Sequence, residues 1–238
     1  RAQGTYLSFV DSDDFLDSRM LETLCCDLQE KDADMAVVGF RTFEREEELA
    51  PAELTVPVQC MTGREAIRST LVSDELGDFA WNKLYKRELF RDVRYPLGRM
   101  MEDQGTTYRI FQKCSKVAYR PVPLYYYYQR PDSILHRRNM TFYEDKLDMG
   151  YQKYQAIREA YSGMSENDAA MLSVVEHCYP YLMQDTERRA KMETFLQECD
   201  PAAAKLRCTS SQRKYQLLRC SRRIYVKLFL LKNGPAAK

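Results

Sequence analysis

The chain has 238 residues, of which 45% are apolar and 30% charged, the proportions of an ordinary globular protein of one large domain or a domain with an appendage. No run of about 18 apolar residues occurs, which excludes a membrane-spanning helix from the sequence pattern. The net charge of +1 hides a polarity: the first 200 residues carry a net of −9, while ten basic side chains and no acid follow Asp200, for +10.

Tyr6-Leu7-Ser8-Phe9-Val10 reads as a strand over residues 5–10 that ends in Asp11, Asp13 and Asp14, with Asp17 just behind. Asp17 or Ser18 is a suitable N-cap for the helix that follows, in which Met20, Leu21, Leu24 and Leu28 repeat at helical spacing. Met35-Ala36-Val37-Val38-Gly39-Phe40 is a near-continuous apolar run, the pattern of a strand buried on both faces. Strand, helix and buried strand in this order predict a βαβ unit with two parallel strands. Ligands of such sheets bind outside the carboxyl ends of the strands, where Asp11 and Asp13 fall.

Residues 44–59 are acidic and hold two prolines, which predicts a surface loop or hairpin. Thr62-Gly63-Arg64-Glu65 fits a capping box that opens a helix. The single tryptophan lies in Trp81-Asn82-Lys83, a core Trp beside polar groups or the wall of a sugar pocket. The turn at Tyr95-Pro96-Leu97-Gly98 leads to Glu102-Asp103 and a helix through about residue 113. Two more strands are predicted at 116–120 and 124–129, the second containing four consecutive tyrosines. After Pro131 the pattern turns helical, at 141–162, 165–185, 187–199 and 203–232, so a division is expected at residue 138, between parts 1–138 and 139–238.

Three carboxylates at a strand exit cost stability unless a cation or hydrogen-bond donors compensate, so Asp11, Asp13 and Asp14 are candidate metal or ligand groups, against the plainer reading of a solvated helix start. Hard oxygen donors suit Mg2+ or Mn2+ shared with substrate phosphates. An EF-hand is excluded, because Leu16 stands where that loop's sharp turn needs glycine. Glu102 and Asp103 are helix-start charge or a general base; Gln129 and Arg130, with Ser133 and His136, are a polar strand end and loop or a clamp on a phosphate leaving group. His177, among apolar residues, reads as structural. The eight cysteines lack any Cys-x-x-Cys and accompany only two histidines, which argues for reduced thiols, mostly core filler, and against zinc. The basic stretch 205–232, with apolar residues between its charges, packs on the domain or lies on an anionic membrane surface; no nucleic-acid motif accompanies it.

Four blocks in order, GTYLSFVDSDDFLD, FAWNKLYKRELF, YPLGRMMEDQ and PLYYYYQRPDSI, resemble the family 2 glycosyltransferases of bacterial cell-surface polysaccharide synthesis. The resemblance covers roughly residues 3 to 135, a little over half of the chain. It implies an α/β fold, a partial GT-A (Rossmann-like) mixed sheet with a C-terminal helical region. The implied activity is transfer of a sugar, with inversion, from a nucleotide-sugar donor to a saccharide or lipid-linked acceptor. It further implies that Asp13, with Asp11, holds Mn2+ or Mg2+, and that Asp11 and Asp14 lie on the donor side. Asp103, beside Glu102, takes the position of the base. Trp81, Asn82 and Lys83 match the acceptor-side segment, and Gln129, Arg130 and Ser133 the segment over the diphosphate. A haloacid-dehalogenase-type phosphatase also begins with a strand and Asp-x-Asp, but Asp14-Phe15 departs from its pattern. The opening Arg1-Ala2-Gln3-Gly4, almost inside a strand, leads to the expectation that the family's first strands are missing and that these residues alone transfer little sugar. A cytoplasmic enzyme, peripheral on the inner face of the plasma membrane, is the expectation; a non-catalytic membrane-surface or assembly module is the alternative.

Overall fold

The computed structural model describes residues 2–50, 52–129 and 139–235. Its packing divides the chain into two compact units, residues 1–96 with 106–133, and residues 97–105 with 134–238.

The first unit is built on a six-stranded mixed sheet of β1 (Tyr6–Ser8), β2 (Phe15–Leu16), β3 (Met35–Phe43), β4 (Gln59–Met61), β5 (Lys83–Lys86) and β6 (Val117–Tyr128). The order is β1-β5-β3-β6-β2, with β4 also on β6. β5 runs antiparallel to both β1 and β3, so these two strands point the same way, as expected of a βαβ unit, but do not touch. β3 and β6 form the parallel centre of the sheet. The expected strand over 5–10 is ordered as a ladder only at 6–8, because only those residues pair with β5.

Between β1 and β3 runs α1 (Met20–Glu30), whose Met20, Leu24 and Leu28 pack on Ala36, Val38, Ala118 and Leu124. Met35 and Val37 alternate to the opposite face and are equally buried, which accounts for the continuous apolar run of a strand covered on both sides. The N-cap of α1 is Arg19, not Asp17 or Ser18. Asp17 acts from two residues outside the helix: its Oδ1 accepts the Arg19 N–H (3.0 Å) and its carboxylate pairs with the guanidinium (2.6–2.8 Å). The capping box at Thr62 and Glu65 opens α2 (Gly63–Val72), with the Glu65 carboxylate 2.7 Å from the Thr62 N–H. A Cβ at Gly63 would come within 2.0 Å of the Phe111 carbonyl oxygen, so glycine alone lets this helix start meet the end of α3 (Thr107–Phe111).

Two expected strands at 116–120 and 124–129 are one, β6. Pro121 and Pro123 have no N–H to give the ladder, and the register slips there, from Val38 opposite Arg120 to Gly39 opposite Pro123. The helix expected from 101 begins only at Thr107, after consecutive turns over 101–106. The acidic loop ends where residues 59–61 form β4, antiparallel to β6.

The second unit is helical: α4 (Met140–Ala160), α5 (Ser165–Leu182), α6 (Thr186–Glu198), α7 (Thr209–Cys220) and α8 (Arg222–Asn233). α5 is its centre, contributing Leu172, Val175, Cys178 and Leu182 to a core shared with Tyr143, Phe195, Tyr215, Leu218 and Tyr225. The basic stretch read as one helix over 203–232 is a 3-10 turn at 201–206 followed by α7 and α8, broken at the extended Ser221, whose hydroxyl caps α8. His177 lies between the rings of Tyr143 and Phe229. All eight cysteines are free; Cys114, Cys178 and Cys199 are core residues, whereas Cys26, Cys60, Cys208 and Cys220 are exposed, so fewer serve as filler than expected. No helix among the described residues is long and apolar enough to cross a membrane.

The hydrogen bonds from Arg19 hold the buried Asp17 carboxyl at about 2, well below its ordinary 3.8. A depressed folded-state value contributes stability that is complete above the ordinary carboxylate range and lost as pH falls from about 4 through 2. Asp17→Asn is therefore expected to be less stable than the wild type by on the order of 2 kcal/mol at pH 7, with the difference vanishing toward pH 2. Urea unfolding of both proteins across that pH range measures it.

Candidate active site

Asp11 to Asp14 form a tight turn between β1 and β2, closed by the Asp14 N–H to the Asp11 carbonyl (3.2 Å). Asp11 and Asp13 are the first and third residues of this turn, two oxygen-donor side chains one residue apart. The fourth residue, Asp14, is committed to β6: its Oδ2 accepts from the Tyr125 hydroxyl (2.6 Å) and its Oδ1 from the Tyr128 N–H (2.8 Å). The same hydroxyl accepts the Asp11 N–H (3.2 Å), so one phenol ties both ends of the turn to the sheet. Burial, and then donation to Asp14, push the Tyr125 phenol far above its usual range, which keeps it protonated and able to donate.

The donor set suits a hard divalent cation that completes its shell elsewhere. Asp11 and Asp13 supply carboxylate oxygens of the type these ions prefer, Asp14 is bonded to β6, and no group of three or more His, Cys, Asp or Glu able to enclose a metal exists among the described residues. Two carboxylates are a fitting protein share for Mg2+ or Mn2+, which keep waters and bind substrate phosphates for the remainder.

Trp81, Asn82 and Lys83 are inside the first unit. The Trp81 indole, 7% exposed, stacks on Tyr125 (4.2 Å), Phe79 (4.6 Å) and Tyr127 (5.8 Å). Asn82 and Lys83 are both fully buried. The Asn82 amide donates to the Val38 carbonyl (2.7 Å). The Lys83 ammonium donates to the Leu76 and Phe79 carbonyls (both 2.7 Å) and to Asn82 Oδ1 (2.6 Å). Three donors meet three acceptors, and the effect is to hold the loop 76–80 against the sheet. Gln129, exposed, directly follows β6 and donates its N–H to the Phe43 carbonyl (2.8 Å). Arg130, Ser133 and His136 lie outside the described residues.

Glu102 and Asp103 belong to the second unit, half-buried in the turns before α3. Asp103 Oδ1 accepts the Gln104 N–H (2.6 Å). Their segment is fastened to α4 on both sides. Upstream, the Arg99 guanidinium pairs with Asp145 (2.7 Å) and Asp148 (3.1 Å), and the buried Asp145 also accepts the Met100 N–H (2.8 Å). Downstream, a Cβ at Gly105 would fall 2.4 Å from the Met149 sulfur. Asp145 and Tyr125 were not among the candidates read from the sequence. Tyr125 was signalled only as one of four equivalent tyrosines, and Asp145 as one of several acids on an amphipathic helix.

The chain is similar to proteins named glycosyltransferases. The chain is 31% identical over 143 residues to glycosyltransferase GlyG of Streptococcus pneumoniae, covering 56% of this chain and 47% of that protein. It is 25% identical over 194 residues to the uncharacterized glycosyltransferase EpsJ of Bacillus subtilis, covering 76% of this chain and 55% of EpsJ. No family model matches. The mixed α/β fold is similar to that of S. aureus TarS residues 1–349, solved in complex with UDP-GlcNAc, with a TM-score of 0.60 at 14% identity over 98% of this chain and 69% of that one. The chain thus spans about half the length of these curated relatives.

Because the Tyr125 hydroxyl serves both Asp11 and Asp14, Tyr125→Phe is expected to lower stability by about 1–3 kcal/mol. Hydrogen exchange should show faster exchange at the Asp11 amide with the β3–β6 ladder unchanged; protection equal to wild type at Asp11 would show that the phenol does not hold the turn.

Proposed function

We propose that this chain contributes the catalytic part of a family 2 glycosyltransferase that moves a sugar from a nucleoside-diphosphate donor to a hydroxyl group of a saccharide or lipid-linked acceptor in surface polysaccharide synthesis. The observation that carries this reading is the Asp11-x-Asp13 turn, locked to β6 at a strand exit, in a chain similar over more than half its length to proteins named glycosyltransferases. That TarS was solved with UDP-GlcNAc, and also with UDP, supports a nucleotide-sugar donor.

In this reading Asp13 and Asp11 hold Mn2+ or Mg2+, which when bound neutralises charge on the departing diphosphate. Asp14 keeps the turn in place through Tyr125 and Tyr128 and serves the donor side indirectly. Asp103 accepts the proton of the attacking acceptor hydroxyl, with Glu102 beside it, and a single displacement inverts the anomeric centre. Arg99 and Asp145 hold that segment on α4. Trp81, Asn82 and Lys83, being buried, shape the acceptor side by positioning loop 76–80. Gln129, with Arg130 and Ser133, is assigned to the diphosphate.

The reading concerns the whole enzyme. Among the described residues β1 pairs only with β5, and a cavity of about 710 Å³ lined by Leu7, Phe9, Arg87 and Tyr95 lies beside it. An unpaired edge next to such a cavity favours a nucleotide pocket completed by further strands.

Sugar transfer by the whole enzyme, followed with a panel of UDP-sugars and Mn2+, tests the roles separately. Asp13→Ala is expected to weaken metal-dependent donor binding and to reduce kcat, whereas Asp103→Ala reduces kcat by at least about 100-fold with donor affinity retained. Unchanged transfer in both variants would overturn the assignment.

A further inference from the structure

The two faces of α8 are both apolar, and only one is covered. Tyr225, 2% exposed, turns inward and donates its hydroxyl to the Glu176 carbonyl (2.9 Å), with Phe229 packed on the same side. Arg222 pairs with Glu193 (2.8 Å) at the start of the helix, and the Tyr181 hydroxyl reaches the Gly234 carbonyl (3.2 Å) at its end. The helix is therefore fastened along its length. On the opposite face Ile224, Leu228 and Leu231 are 52%, 52% and 74% exposed. Their spacing, i, i+4 and i+7, aligns them in one stripe. Helical geometry sets Arg223 and Lys227 along one border of that stripe and Lys232 along the other, all three exposed.

We propose that this outer face of α8 lies on an anionic lipid surface, the leucines and Ile224 entering the acyl boundary and the three bases meeting lipid phosphates. Charge decides the occupant. No acid follows Asp200, so nothing on α7 or α8 offsets the bases. A second copy laid on the same stripe would bring like charges to its borders, whereas anionic headgroups neutralise them, and long basic side chains flanking leucines suit the interface between headgroup and acyl chain. The proposal does not rest on the sugar-transfer reading.

Sedimentation of the 238-residue protein with vesicles containing roughly 30% phosphatidylglycerol in phosphatidylcholine tests it. The protein should pellet with these vesicles at low salt, release at high salt, and stay in solution with phosphatidylcholine alone. Leu228→Asp with Leu231→Asp, and separately Arg223→Glu with Lys227→Glu, should each cut partitioning by at least about 10-fold, with unchanged melting temperatures because all four side chains are exposed. Wild-type protein left in the supernatant, or either double variant pelleting as well as wild type, would overturn the proposal. So would a dimer in light scattering that the leucine substitutions abolish without any lipid binding.

Discussion

The Tyr125 hydroxyl is the interaction on which the candidate site depends. It is one atom with three duties: it donates to Asp14, accepts from the Asp11 N–H, and crowns a ring that stacks on Trp81. A turn carrying several carboxylates repels itself. The phenol and the Tyr128 N–H donate to the Asp14 carboxylate, which stabilises its charge and fixes one end of the turn on β6. Burial within the sheet fixes the ring, so the position of the turn follows from core packing and not from loop preference.

The helical unit solves a related problem with charge. α5 carries Glu176 into the core, where burial raises its pKa while the two-pronged Arg207 (2.7 Å to each oxygen) counteracts that shift. The pair joins the segment after the 3-10 turn at 201–206 to α5, and Arg222 with Glu193 joins the start of α8 to α6. Arg207 and Arg222 are thus spent on internal order. Arg223, Lys227 and Lys232 are exposed, so the charge asymmetry evident in the composition has two origins.

Local pattern explains what could be read from the sequence. The apolar run at 35–40, the helical spacing from Met20 to Leu28 and the capping box at Thr62 each specify structure within a few residues, and each formed. What could not be read depends on contacts distant in sequence. Lys83-Leu84-Tyr85-Lys86 has two lysines in four residues and little strand character, yet it is the strand between β1 and β3, because Lys83 finds three acceptors inside the fold. Arg99 pairing with Asp145 places 97–105 with the helices although the flanking residues belong to the sheet, and no periodicity announces that. The carboxylate turn was visible as a cluster; that Asp14 is tied down by a particular tyrosine was not, since four adjacent tyrosines look alike until the strand's alternation and register single one out.

The stacking of Trp81 on Tyr125 also gives the molecule an optical property. It is the only indole in the chain, 7% exposed, and it touches the ring whose hydroxyl holds the carboxylate turn. Tyr125 and Tyr127 lie within 6 Å of it, close enough to pass excitation to it almost completely. Its emission therefore comes from a dry, aromatic setting and is one phenol away from Asp11 and Asp14. Whatever pulls on that turn, whether a cation, a phosphate or acid, is relayed to a single intrinsic fluorophore without any label being added.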